Sequence, residues 1–378
     1  MVYYIGFYAD EKNAENRKVY LSAVNKMRYI IEAVEKSEIP QQVISCAATL
    51  DKCSHKASLK KHIGNTYLKT FFTFGRKNKV IGLLNGSIIR LQMICYLLKN
   101  CKKDDILMVY HSPSYCKEIA FIKKVKKCKL VLEVEEIYGD VSGNMALRKK
   151  ELSLCKKADA FVFPTDMLNK TVNSKNKPYV TIHGTYQVEQ EKRMGFNDNK
   201  THIVYAGTFE PRKGAGTAIE TAFFLDDRFH VHILGFGTEK QKKDINELVD
   251  EINQKSQATV TYDGLLSGEE YISFIQSCDI GLSPQNPDAA FNSTSFPSKI
   301  LSYMANGLRV VSINIPAIKN SAVGKYLYYY ENQTPEEIAN AIMNIDMNDG
   351  YDGRKIIADL DDKFMKNIKK LLKEMSND

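Results

Sequence analysis

The residue pattern predicts an α/β protein built from two doubly wound parallel-sheet domains facing across a cleft. Three observations carry that expectation. Short runs of β-branched and aromatic residues alternate with helical apolar periodicity along the whole chain. The alternation runs in two series, parted by the polar stretch 184–200, which has almost no apolar period. The length of 378 residues suits two to three domains.

In the first series, strands are expected at 2–7, 41–46, 68–74, 106–110, 129–135, 160–163 and 179–182. Helices are expected at about 16–36, 86–100, 114–127 and 144–157. In the first of these Ala23, Met27, Ile30, Ile31 and Val34 recur at three- and four-residue spacing and form one apolar face. The second series restarts with strands at 202–206, 229–234, 258–262, 279–282, 309–313 and 326–330, and helices near 215–225, 239–255, 268–277, 298–306 and 335–344. A β-α-β-α order implies parallel sheets covered by helices on both faces. The expected domains are 1–190 and 191–350, followed by an amphipathic helix at 351–378 that is free to cross back to the first domain.

Composition narrows the function. No stretch reaches the ~20 consecutive apolar residues of a membrane span, and the N-terminus reads as a strand rather than a signal peptide. The eight cysteines form no CxxC pair and no zinc spacing, which favours reduced thiols and a cytoplasmic protein. Charge divides unevenly, with a balance of +15 over residues 1–200 and −7 over 201–378. The first half is therefore suited to an anionic partner or to a lysine-rich solvated surface. Within it, segment 52–79 interleaves Lys52, Lys56, Lys60, Lys61, Lys69, Arg76, Lys77 and Lys79 with Phe71, Phe72 and Phe74. That mixture fits an anionic membrane surface, or a buried strand with solvated flanks. No nucleic-acid motif accompanies it, so nucleic acid is not an expected partner.

In open α/β sheets, ligands bind beyond the carboxyl ends of the strands. Gly207-Thr208-Phe209-Glu210-Pro211-Arg212-Lys213-Gly214 follows such a strand, and its glycines permit close backbone approach while Arg212 and Lys213 suit a phosphate. It is neither GxGxxG nor a Walker A loop. Phe296-Pro297-Ser298-Lys299 opens a helix that runs through Ser302 to Gly307. A lysine at the positive end of a helix is disfavoured unless an anion lies between it and the dipole. Gly264-Leu265-Leu266, after another strand, would offer backbone amides to a nucleobase. In the first half, His111 directly follows strand 106–110, and Glu133, Glu135 and Glu136 end strand 129–135, where a central parallel strand should be apolar. His111 would position a reacting sugar, and Glu136 would face the cleft as an acceptor or electrostatic group. Each motif also has a plain structural reading as a turn, a cap or a surface strand end.

Taken in order, these motifs resemble the retaining, nucleotide-sugar-dependent glycosyltransferases of the GT-B fold, the group 1 type that builds bacterial capsules and lipopolysaccharide. The resemblance is strongest over about 201–345. It rests on Tyr205-Ala206-Gly207-Thr208 with Lys213-Gly214, Asp263-Gly264-Leu265-Leu266, Cys278-Asp279-Ile280-Gly281-Leu282-Ser283-Pro284, and Phe296-Pro297-Ser298-Lys299 with Tyr303-Met304-Ala305-Asn306-Gly307. Thr181-Ile182-His183-Gly184 stands where such enzymes have an interdomain turn.

The resemblance implies two Rossmann-like domains and a nucleotide-diphosphate sugar as donor. It implies a glycan or lipid-linked acceptor, no metal or other cofactor, and a site at the inner membrane face. Residues carried over as catalytic are His111, Glu136, Lys213 and Lys299. Donor contacts carried over are Gly207, Thr208, Arg212, Lys213, Gly264, Leu265, Leu266, Phe296, Pro297, Ser298, Lys299 and Ser302. The sequence departs from the family at Thr294 and Ser302, where many members carry two glutamates eight positions apart, the second holding the ribose. A sugar-nucleotide epimerase of the same fold, or a non-catalytic nucleotide-sugar or glycan-binding subunit, would use much of the same residue set.

Overall fold

The computed structural model describes residues 1–10, 15–287 and 296–377. The chain divides into one unit of residues 1–182 with 363–378 and a second of 183–362. Each is a parallel sheet with covering helices.

The first unit holds β1 (Val2–Gly6), β2 (Gln41–Ser45), β3 (Ser58–Lys61), β4 (Tyr67–Thr70), β5 (Ile106–Tyr110), β6 (Lys129–Glu133), β7 (Ala160–Phe163) and β8 (Tyr179–Thr181). They lie in the order β3-β4-β2-β1-β5-β6-β7-β8, parallel except for β3 against β4. Central β1 and β5 are buried on both faces, which explains their unbroken apolar sequences Val-Tyr-Tyr-Ile and Ile-Leu-Met-Val. Helix Lys79–Asn100 packs Ile89, Met93 and Leu97 into the same core as Ile5, Leu107 and Leu132.

The second unit holds β9 (Thr201–Thr208), β10 (Phe229–Phe236), β11 (Thr259–Gly264), β12 (Ile280–Ser283), β13 (Arg309–Ile313) and β14 (Tyr328–Tyr330). They lie in the order β11-β10-β9-β12-β13-β14, all parallel. The chain winds outward from β9 to one side and returns to β12 on the other, so the strand order switches between β9 and β12. In the first unit the switch falls between β1 and β5. Crevices at the carboxyl ends of those pairs are where such sheets hold ligands.

Several boundaries differ from expectation for identifiable reasons. Strand β3, Ser-Leu-Lys-Lys, is charged as sheet edges often are, and its sequence carries no strand signal. Helix Lys79–Asn100 starts seven residues before the expected position 86, because the Asn78 side chain accepts from the Ile81 N–H and caps it despite Gly82 and Gly86. Strand β6 stops at Glu133, so Glu135 and Glu136 lie beyond it. The polar stretch after residue 183 lies along the second unit: Lys192 N donates to Gln276 Oε1 at 2.5 Å, and Gln276 Nε2 donates to the Gln190 carbonyl at 2.8 Å. The final helix, Gly353–Asn377, is divided between the units, and Phe364 stacks on Tyr29 at 5.5 Å within the first. All eight cysteines are free thiols.

Candidate active site

The crevice between β9 and β12 is built from close backbone contacts. Gly235 on β10 has φ +149°, and a Cβ there would stand 1.8 Å from the Gly207 carbonyl oxygen, so only glycine fits beside the end of β9. After β9 the chain makes a 3₁₀ turn, Pro211–Lys213, ending at Gly214 with φ +81°. A Cβ on Gly214 would lie 2.0 Å from the Pro284 carbonyl oxygen. The Asn286 N–H donates to the Arg212 carbonyl at 3.0 Å. The loop carrying Arg212 and Lys213 is therefore clamped to the loop that follows β12.

Helix Ser298–Ala305 supplies the second cation. Its Tyr303 phenol accepts from the Ala206 N–H at 2.8 Å, and the Tyr303 ring fills the space over Gly281, where a Cβ would approach to 2.3 Å. That packing fixes Lys299, one turn earlier, at the end of β9. The Lys299 ammonium stands 4.0 Å from the centroid of the buried Tyr205 ring, and a Cβ on Gly207 would come within 3.2 Å of it. Among the described residues no carboxylate lies within ion-pair distance of Lys299. Burial, and then the charge on Lys213, push the Lys299 ammonium down to about 7. Burial and Arg212 push Lys213 down too, while Glu210 opposes them. Two partly desolvated cations that repel each other at a strand-end crevice suit a multivalent anion.

The other expected donor residues divide. Gly207 and Thr208 close β9, where the Thr208 carbonyl accepts from the Tyr205 hydroxyl at 2.8 Å. Phe296 is buried, its ring 5.0 Å from His183. Pro297 precedes the helix and Ser298 is exposed at its first turn. Arg212 is exposed, with Nε donating to Glu210 Oε2 at 2.7 Å. The Ser302 hydroxyl is bonded to Tyr271, which occupies the group expected at a ribose. Gly264, with φ +82°, ends edge strand β11, two strands from β9, and Leu265 beyond it is 64% exposed. Two strand spacings are about 10 Å, a span that separates this loop from the lysines. Thr294 lies outside the described residues.

Three neighbours belong to the quoted motifs but were not expected as individual site residues. The Ser283 side chain, 1% exposed at the end of β12, has no hydrogen-bond partner among the described residues. Tyr205 supplies the ring under Lys299. His183 accepts the Ala322 N–H at 3.2 Å and faces Phe296. A buried hydroxyl at a switch-point strand end is a detectable signal in sequence; the other two need tertiary contacts.

In the first unit, His111 follows β5 at its own switch point and is 2% exposed. Its Nε2 donates to Glu151 Oε1 at 2.9 Å, and Glu151 also accepts from the Tyr138 and Gly139 N–H groups at 3.0 and 2.8 Å. His111 Nδ1 is buried without a partner among the described residues. Of the three carboxylates, Glu133 is the fully buried one. Tyr4 donates to it at 2.5 Å, and burial with Glu135 nearby pushes its carboxyl up to about 8. Glu135 pairs with Lys26 at 2.7 Å. Glu136 is partly exposed, its pKa raised by burial, then by Glu135 and Glu151.

Segment 52–79 holds one buried phenylalanine, Phe71, while Phe74 is exposed. Asn85 and Gln92 pin that loop to helix Lys79–Asn100, each bonding both backbone groups of Phe74 and Phe72 respectively. By length and composition this is the one described helix apolar enough to cross a membrane, a property its interrupted apolar runs concealed in the sequence. It packs one face inward and leaves Val80, Leu83, Leu84, Leu91 and Leu98 exposed on the other.

Residues 200–348 match the family described as Glycosyl transferases group 1. A search of curated proteins finds no match. Among solved structures, sucrose-phosphate synthase from Thermosynechococcus elongatus superposes with a TM-score of 0.68 at 13% identity, covering 99% of this chain and 98% of that one. The α,α-trehalose 6-phosphate synthase of Burkholderia multivorans gives 0.67 at 8% identity, covering 100% and 96%. The E. coli trehalose-6-phosphate protein bound with UDP-2-fluoro glucose gives 0.63 at 12%, covering 99% and 97%. The fold is GT-B. The family match spans the second unit's six strands, from β9 to β14, and both cationic loops.

Proposed function

We propose that the protein is a retaining glycosyltransferase that moves a sugar from a nucleotide-diphosphate sugar to a glycan or lipid-linked acceptor in cell-surface polysaccharide synthesis. The observation that carries the reading is the convergence of Lys299 and Lys213 at the β9–β12 crevice, close enough for the charge of one to lower the pKa of the other, inside the segment that matches the group 1 family. The diphosphate would sit over Gly207, whose missing side chain leaves room for it beside Lys299. The Gly264–Leu266 loop would meet the base, about a nucleotide's length away.

In the reaction, the bond from the anomeric carbon to the β-phosphate oxygen breaks and a bond from that carbon to the acceptor oxygen forms on the same face. The acceptor's proton passes to the leaving phosphate. Charge develops on the diphosphate, where Lys213 and Lys299 are fixed beforehand, so their contribution is electrostatic and no metal is required by this route. His111 and Glu136 are the proposed acceptor-side groups. The exposed apolar face of helix Lys79–Asn100, beside the cations of 52–79, supports a lipid-linked acceptor at an anionic membrane.

The test is calorimetry of nucleoside diphosphate with Lys213→Ala and Lys299→Ala, followed by donor turnover with and without a glycolipid or hexose-phosphate acceptor. Each variant should weaken binding at least tenfold, and sugar transfer should need the acceptor. Unchanged affinity in both variants removes the diphosphate seat. Donor conversion without acceptor identifies an epimerase, and binding without turnover a non-catalytic subunit.

A further inference from the structure

At the opposite ends of the same strands, three imidazoles share one face of the second sheet. His202 on β9 pairs in register with His230 on β10, and His232 lies two residues farther along on the same side. His202 and His232 are 3% and 2% exposed, whereas His230 reaches solvent. Phe196 stacks on His202 at 3.9 Å and on His232 at 5.0 Å, and Phe274 meets His232 edge-on at 5.1 Å.

The hydrogen-bond count around this cluster does not close with neutral rings alone. The Thr261 hydroxyl stands 3.0 Å from Asp263 Oδ2 and 3.1 Å from His232 Nδ1; its single proton is assigned to the carboxylate, because giving it to His232 would leave that nitrogen's lone pair facing Asp263 Oδ2 at 3.1 Å. His230 Nε2, 3.1 Å from the Thr261 oxygen, must therefore donate to it. His232 Nδ1 must likewise donate to Asp263 Oδ2 at 3.1 Å, and His202 Nε2 to Asp198 Oδ1 at 2.9 Å. A neutral imidazole has one N–H, so the remaining nitrogens are lone pairs. Two of them, His202 Nδ1 and His232 Nε2, face each other at 2.9 Å. Facing lone pairs at that distance repel unless a positive centre lies between them, either a shared proton or a metal ion.

The surroundings favour the metal. Ligand nitrogens of all three histidines lie within 4.8 Å of one another. A tetrahedral zinc ion with bonds of about 2.0–2.1 Å needs nitrogens about 3.4 Å apart, which small ring movements supply. Carboxylates on the outer N–H groups of His202 and His232 are the arrangement that orients metal-bound imidazoles. Asp279, which accepts from the His202 backbone N–H at 2.9 Å, adds negative charge, while Lys200 is directed to Thr259 at 3.0 Å.

We propose that His202, His230 and His232 form a binding site for one divalent transition-metal ion of the zinc class, held in orientation by Asp198 and Asp263. The ion would tie the segment 196–202 to β10 and stiffen the base of the sheet. It is a structural site removed from the two lysines, although its Asp263 directly precedes the Gly264–Leu266 loop, and it departs from the sequence expectation of no metal.

The full-length protein, stripped with a chelator, is titrated with Zn²⁺ against a chromophoric competitor and with Co²⁺ by visible absorption. The expected result is one equivalent bound, tetrahedral-type Co²⁺ bands, and a rise in Tm with Zn²⁺. His230→Ala, at the most exposed ligand and so the least disturbing to folding, should weaken Zn²⁺ binding at least 100-fold. Asp263→Asn should weaken it about tenfold, through the orienting carboxylate. The absence of saturable binding would assign the positive centre to a shared proton and overturn the proposal. So would binding that is unchanged in His230→Ala and His202→Ala.

Discussion

Lys299 should make donor binding depend on pH in a range where an ordinary lysine site, with its pKa near 10.5, shows no dependence. In the free protein its ammonium is pushed down to about 7 by burial and by Lys213. A bound diphosphate places negative charge beside it and raises that value, so binding takes up a proton. At pH 8 about nine-tenths of Lys299 is neutral in the free protein, and uptake is about 0.9 proton per ligand; at pH 6 it falls to about 0.1. Because only the protonated fraction is competent, affinity should fall about tenfold per unit above pH 7, or about 100-fold between pH 6 and 9. Lys213, also pushed down, adds to the same sign at higher pH. The assay is calorimetry of a nucleotide sugar, whose diester diphosphate does not titrate in this range, at pH 8 in buffers of different ionisation enthalpy. A binding enthalpy independent of buffer, with a Kd flat from pH 7 to 9, would refute the reasoning. Lys299→Met should abolish most of both dependences.

Three further outcomes follow from the same structure. Gly214→Ala must place a Cβ at positive φ and against the Pro284 carbonyl, so it should cost about 2 kcal/mol or more, lower Tm by several degrees in a thermal melt, and weaken diphosphate binding. Glu133→Gln should stabilise progressively as pH rises: the folded carboxyl stays protonated up to about 8 while the unfolded one ionises near 4.5. Wild-type stability is therefore lost across that window, by up to about 1.4 kcal/mol per unit, and urea unfolding at pH 5, 6, 7 and 8 should show the variant's advantage grow; a constant difference contradicts it. Leu83→Glu with Leu84→Glu should reduce flotation with anionic vesicles tenfold or more, and wild-type flotation should fall with salt; equal flotation of both proteins would show that this helix does not enter the lipid.

The architecture was legible because apolar alternation is a local signal. Central strands such as Ile106–Tyr110 were read from their own residues, and the order of strands and helices alone implied two parallel sheets. Lys299 was legible for a related reason: a cation in the first turn of a helix breaks a local rule. What it meets was not, since Tyr205 and Lys213 arrive from another part of the chain. The carboxylates show the same divide. An acidic run on a buried strand stood out, yet Glu133, the member that is buried, is identified only by Tyr4, 129 residues away. His202 and His230 become one cluster only through strand register. Segment 52–79 was read as cations with aromatics, but the apolar face of the helix after it appears only once its inner face is packed.

The most direct test is the structure of the protein with a bound nucleoside diphosphate. The prediction is both phosphates over Gly207, with oxygens within hydrogen-bond reach, about 3 Å, of the Lys299 and Lys213 ammonium nitrogens. A diphosphate bound elsewhere on the chain, or one touching neither lysine, would contradict the account.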